Sequence, residues 1–160
     1  MASSADERFL AALAAELRGL RIEAVVVGNV ASILGGAPVL TQDVDLLVRD
    51  TALNRKKLKR LAAAMGGVGP TPISEFDATE RIYGTDVPID ILYGQLIGGL
   101  TFASVRSRAY PAAVGREVLT VAALADVIRS KTAAGRPKDK AVLPILHDTL
   151  AVRRAAKLEP

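Results

Sequence analysis

The chain of 160 residues contains no cysteine, no tryptophan and one histidine, His147. Without cysteine there are no disulfides, thiolate metal sites or cysteine nucleophiles, which fits a reducing cytoplasm. A lone histidine excludes a multi-histidine metal centre, and its place late in a helical segment gives it no nucleophile partner. Aromatic residues make up 4% of the chain against 50% hydrophobic, so the core has to be built from Ala, Val, Leu and Ile. No internal repeat and no low-complexity linker interrupts the sequence. The one long uncharged run, Ala24 to Gln42, is broken by Asn29, Gly35, Gly36 and Pro38, and reads as strand, turn and short helix rather than as a membrane span. Asp6, Glu7 and Arg8 come too early for a signal peptide, so a soluble protein is expected.

The chain has a formal charge of +4 and a pI near 9.6, which favours anionic partners: nucleotide, nucleic acid or an acidic protein. Its length fits one domain over residues 1–160, large enough for a real core. A helix with apolar residues at Phe9, Leu10, Leu13 and Leu17 ends at Gly19. A β-branched strand runs from Ile22 to Val27, and Gly28-Asn29 turns into a short helix, Val30 to Leu34. After a loop holding Pro38 and Thr41 comes the strand Val44 to Val48. Asp50 or Thr51 caps a helix reaching about Met65. The Gly/Pro-rich stretch Val68 to Pro72 reads as a loop. Two strands follow, Thr79 to Tyr83 and Val87 to Leu92, folded about Gly84-Thr85-Asp86. Gly94 to Val114 has no clear period. Glu117 to Val121 is a strand, and Ala122 to Ala134 a helix stopped by Gly135. Pro137 opens the last helix, which Pro144 should kink or divide. The pattern is α/β or α+β, a small mixed sheet flanked by helices: a sheet-containing core over 1–121 with C-terminal helices over 122–157 packed on it.

Within this frame the most informative stretch is Asp43-Val44-Asp45, inside the apolar run Leu40 to Val48. A strand sends residues i and i+2 to one face, so the two carboxylates project together, with backbones roughly 6–7 Å apart. Like charges side by side disfavour each other's ionisation. A cation should sit between them, and a hard divalent ion such as Mg²⁺ suits carboxylate oxygens. Asp90 lies in a further apolar strand, Val87-Pro88-Ile89-Asp90-Ile91-Leu92. It reads equally as a third oxygen ligand, a base for an attacking hydroxyl, or a charge on the solvent face of an edge strand. Next to the earlier pair, the functional reading is preferred.

Two other segments bear on the pair. Strand, Gly28-Asn29 and short helix offer backbone N–H groups to phosphate oxygens, although an ordinary strand-to-helix turn has the same pattern. The turn is neither a Walker loop nor a Gly-x-Gly-x-x-Gly fingerprint. Near the C-terminus, Arg129-Ser130-Lys131 through Arg136-Pro137-Lys138-Asp139-Lys140 gathers cations around a helix break. Lys131 and Arg136 can neutralise a triphosphate, or they can simply be solvated cations at helix ends, with Asp139 facing the next helix's dipole.

Taken together, Gly28-Asn29, Asp43-Val44-Asp45 and Asp90 resemble the minimal nucleotidyltransferases of the DNA polymerase β-like superfamily. Their pattern is Gly-Gly or Gly-Ser after a strand, a short helix, Asp-x-Asp on the next strand and a third Asp later. Lys131…Arg136-Pro137-Lys138-Asp139 is similar to the Lys…Arg-x-x-Asp segment of the abortive-infection and type IV toxin–antitoxin branch. The resemblance spans roughly Val25 to Leu150. It implies a nucleoside triphosphate as substrate and two Mg²⁺ ions, with Asp43, Asp45 and Asp90 as ligands and Asp90 alternatively as the base. Lys131 would be catalytic and, with Gly28, Asn29, Arg136 and Asp139, would line the nucleotide site. Asn29 stands where the family usually has Gly or Ser.

The activity so implied is transfer of a nucleoside monophosphate to a hydroxyl, with a tRNA end slightly preferred over a protein or small molecule. The five cations of Arg55-Lys56-Lys57-Leu58-Lys59-Arg60 could hold an RNA backbone, though a solvated helical face is the commoner meaning of such a run. The competing reading is a non-catalytic module of the same fold that acts through a protein or RNA partner.

Overall fold

A computed structural model describes residues 4–159, so residues 1–3 and 160 of the expected domain lie outside it. The elements in chain order are α1 (Ser4–Gly19), β1 (Ala24–Val27), α2 (Gly28–Leu34), β2 (Val44–Val48), α3 (Ala52–Ala64), β3 (Val68–Pro72), β4 (Glu80–Tyr83), β5 (Ile89–Tyr93), β6 (Gln95–Leu96), β7 (Leu100–Thr101), α4 (Phe102–Arg108), β8 (Tyr110–Val114), β9 (Glu117–Val121), α5 (Leu124–Ala134) and α6 (Pro137–Ala155). Seven strands form one mixed sheet in the order β3-β4-β5-β2-β1-β9-β8, and β6 and β7 make a separate two-stranded ribbon.

The middle of the sheet positions everything that follows. β2 runs antiparallel to β1 and parallel to β5, with Val27 opposite Asp45 and Asp45 opposite Asp90. Such a register is well specified because β1, β2 and β5 are almost continuously apolar and buried. Leu46, Leu47, Ile82, Ile89 and Ile91 are fully buried in the sheet, as are Leu13, Leu58, Leu61, Leu124 and Leu146 on the helices. Phe9 and Phe102 are the only aromatic residues in this described core, so its packing is aliphatic, as the composition requires. α1 packs on β8 and β9 and against α3, while α2 packs on β1 and β2 and against α5.

Several elements differ from the sequence expectation. The stretch Val68 to Pro72, read as a loop, is strand β3. It lies at the sheet edge and carries a register shift between Val68 and Thr71, where missing proline N–H groups cost no central ladder bonds. Helix α6 continues through Pro144 rather than dividing there. Pro144 and Lys140, whose carbonyl loses its helical donor, are both exposed, so water can meet that carbonyl. The stretch 94–114 without a period resolves into two-residue strands, the short helix α4 and β8. Thr51 is the cap of α3, its hydroxyl accepting from the Asn54 amide at 3.1 Å.

Candidate active site

Where β1 gives way to α2, Gly28 adopts φ +65°, a left-handed conformation that disfavours residues with a Cβ. A Cβ at Gly28 would also overlap the Asp45 carboxylate, the residue next to it on the neighbouring strand. Glycine is thus needed here to make room for an acid. The position a Cβ would take at Gly28 is filled by the Asp45 carboxylate.

Asp43, just before β2, and Asp45 within it are half-buried, while Asp90 on β5 is buried. One oxygen from each of the three lies within 4.8 Å of the others. The spacing i, i+2 brings Asp43 and Asp45 together, and the parallel register adds Asp90 from 45 positions along the chain. Burial, with the charges of Asp43 and Asp90, pushes Asp45 up to about 7, despite the opposing pull of Lys131 and Lys138.

The strand sequence did not call attention to Arg81. On β4 it is paired with Asp90 across the β4–β5 hairpin. Its Nε donates to Asp90 Oδ1 at 2.5 Å and its Nη2 to Asp90 Oδ2 at 2.8 Å, a two-point fork. Nη2 also reaches Asp43 Oδ2 at 3.3 Å. A usable signal was present in the sequence: folding the two strands about Gly84-Thr85-Asp86 puts Arg81 beside Asp90.

Opposite the carboxylates stands the junction of α5 and α6. Gly135 closes α5 in the left-handed conformation, φ +61°, and Pro137 starts α6. Asp139 is buried, 1% exposed, and accepts from the Arg136 side chain at 2.6 Å and the Arg136 backbone N–H at 3.3 Å. Lys131 lies 3.6 Å from its other oxygen. Burial alone would raise the Asp139 pKa, but the hydrogen bonds and charge of Arg136, together with Lys131, hold it below the ordinary value. For Lys131 burial lowers the pKa, with Asp139 and Asp45 opposing. Asp139 is therefore the anchor of Lys131 and Arg136 as well as a wall of the site. The Asn29 amide donates to the Leu40 carbonyl at 3.2 Å, tying α2 to the loop before β2 and leaving its Oδ1 buried without a partner.

All eight residues singled out in the sequence, Gly28, Asn29, Asp43, Asp45, Asp90, Lys131, Arg136 and Asp139, line one cleft of about 430 Å³. Arg81, Ser130 and Lys138 line it too, as do Ile73, Asp77 and Thr79 from the β3–β4 loop. That volume lies in the range of small-molecule sites. A second, more apolar cleft of about 390 Å³ adjoins it and shares Asp43. The basic run of α3 is partly engaged: Arg55 pairs with Asp50 and Glu80 and stacks on Tyr93, and Lys57 donates to the Arg21 carbonyl. His147 is exposed on α6, away from this constellation.

Solved structures share this arrangement of strands and helices. A candidate nucleotidyltransferase of Thermotoga maritima matches over 90% of this chain and 93% of its own, at 14% identity and TM-score 0.65. The antibiotic-resistance factor ANT(2'')-Ia, in its solution structure, matches over 97% of this chain and 92% of its own, at 14% identity and TM-score 0.65. Its crystal structure with adenylyl-2''-tobramycin gives TM-score 0.67 over 97% and 95%, again at 14% identity. The chain has a nucleotidyltransferase-like fold. No protein-family profile matches the sequence, and no curated protein matches it. In this nucleotidyltransferase-like fold the acidic cluster has the chemistry of a divalent-metal site. Its donors are all hard carboxylate oxygens, and Gly28 keeps clear the space that Asp45 occupies. Two ligands of one Mg²⁺ stand at most roughly 4.2 Å apart, so the donor spacing is close to what such an ion needs. No described helix is long and apolar enough to cross a membrane.

Proposed function

We propose that the protein is a Mg²⁺-dependent nucleotidyltransferase that moves a nucleoside monophosphate from a nucleoside triphosphate to a hydroxyl acceptor. The observation that carries this reading is the convergence of residues from four separate segments on one cleft. Asp43, Asp45 and Asp90 stand on its sheet side with Arg81 among them, and Lys131, Arg136 and Lys138 on its helical side with Asp139. Asp43 and Asp45, with Asp90 in a two-ion form, would hold Mg²⁺, which supplies charge neutralisation and polarisation of phosphate oxygens. Lys131 and Arg136, oriented by buried Asp139, face the charge that builds up on the leaving pyrophosphate. The chain's contribution is mostly positioning: an acceptor hydroxyl, the α-phosphate and the leaving group are held in line. Asp90 is the candidate to take the acceptor's proton. The non-catalytic alternative has no use for three carboxylates kept this close together.

For the acceptor, a tRNA end is preferred, in keeping with the net charge of +4 and the exposed Lys56, Lys59 and Arg60. Transfer to tRNA in the cytoplasm would fit a toxin of a toxin–antitoxin pair. A second reading, a small hydroxylated acceptor, is favoured by the fold match to ANT(2'')-Ia and by the apolar cleft that meets the carboxylates at Asp43.

The test is to incubate each labelled nucleoside triphosphate with Mg²⁺ and, separately, total tRNA, cell extract and small polyols including tobramycin. Label should enter one acceptor class and be lost with Asp43→Ala and Asp45→Ala. Wild-type transfer by both variants would overturn the proposal.

A further inference from the structure

Arg81 already occupies ground that a metal ion would need. Its fork uses both oxygens of Asp90, and its Nη2 takes one oxygen of Asp43 as well. A carboxylate has about four lone-pair directions, so Asp90 keeps about half of its acceptor capacity, beside a fixed positive charge. An ion at roughly 2.1 Å from Asp90 Oδ2 would lie within roughly 5 Å of Nη2, a like-charge approach. Arg81 makes no hydrogen bond to Asp45 or to the second oxygen of Asp43. The triad is therefore split into two unequal parts: Asp43 with Asp45, open to a cation, and Asp90, which has one.

We infer that Arg81 is the built-in counter-cation of the triad. It keeps Asp90 from coordinating metal, so the protein without nucleotide takes one divalent ion, on Asp43 and Asp45. A second ion enters only when Arg81 leaves Asp90. The inference rests on the nucleotidyl-transfer reading for the identity of the ion, but Arg81's competition with it is read from the ion pairs themselves. Arg81 pairs with Asp90 in strand register, so the fork is held by the hairpin's own ladder. Its guanidinium remains charged at any working pH, so the competition does not depend on protonation. A planar fork also explains the choice of arginine: lysine would offer a point charge and could not cover both oxygens.

The experiment counts bound Mn²⁺ by electron paramagnetic resonance of the free ion and measures Mg²⁺ affinity by calorimetry, both on nucleotide-free protein. Wild type should bind one ion. Arg81→Gln should bind two, or bind the first at least tenfold more tightly. Arg81→Lys, which keeps the charge but not the fork, should fall between them, and it carries the test if Arg81→Gln does not fold. Adding Asp90→Asn to Arg81→Gln should return the count to one. A wild-type protein that binds two ions, or Arg81 variants with wild-type count and affinity, would overturn the inference alone. Folded wild type and variants that all fail to bind either ion would overturn both this inference and the metal-dependent reading.

Discussion

The two sides of the cleft are built in opposite ways. The carboxylate side is long-range: β1, β2, β4 and β5 meet in register, and residues far apart in sequence become neighbours. The cationic side is local, since Lys131, Arg136 and Asp139 sit within nine positions around one helix break. They also differ in electrostatic completeness. Asp139 pairs with both nearby cations, whereas Asp45 has no hydrogen bond or ion pair among the described residues and is pushed up to about 7. On the helical side one buried acid holds two cations, and on the sheet side Arg81 holds Asp90 and touches Asp43 while Asp45 stands apart.

The sharpest way to break this contrast is Asp45→Asn. It should reduce nucleotidyl transfer by more than about 10³-fold while leaving the circular dichroism spectrum unchanged. The same change should stabilise the metal-free protein, because it removes a charge the fold disfavours.

On the helical side the opposite result is expected. Asp139→Asn leaves Lys131 and Arg136 without their buried partner and weakens the start of α6. A loss of about 3 kcal/mol in denaturant unfolding is expected. A change below about 1 kcal/mol would show that the helical side is not held by its acid.

The pH dependence sharpens the contrast further. Asp45 is raised in the folded protein from 3.8 to about 7, so its protonated form favours the fold. Its contribution is fully present below pH about 4 and is lost as pH rises through about 7. The Tm advantage of Asp45→Asn over wild type should therefore widen from pH 4 to pH 8, reaching several degrees at about 2–4 °C per kcal/mol. Mg²⁺ should narrow it at the upper end. A difference flat with pH would remove Asp45 as the strained group.

The smallest effect is at the helix break. Gly135→Ala forces a Cβ into a left-handed conformation and should cost about 1 kcal/mol, with Lys131 and Arg136 displaced only slightly. Transfer should drop less than tenfold, as read from the KM for the nucleotide.

The same contrast governs what could be read from the sequence. Strand alternation made Asp43 and Asp45 visible as a pair, and the apolar run around Asp90 marked it as out of place. The local helix break showed itself through Gly135 and Pro137. Arg81 was passed over because its meaning lies in cross-strand register: it is an ordinary surface cation until the hairpin places it against Asp90. Asp139 was assigned to the nucleotide site, and its burial as the anchor of two cations depends on how α5 and α6 pack. β3 was hidden by glycine and proline, which signal a loop unless the strand is known to be at an edge. Elements of two residues, such as β6 and β7, are too short to carry a period.

The β4–β5 hairpin carries both Asp90 and the arginine that holds it, so as a unit it is electrically neutral at the cleft. Asp43 and Asp45 belong to the fixed middle of the sheet. If the hairpin shifts by a fraction of an ångström against β2, the width of the site changes while little net charge moves. Any such shift stretches the 3.3 Å contact between Arg81 and Asp43, which ties the hairpin to the segment just before β2.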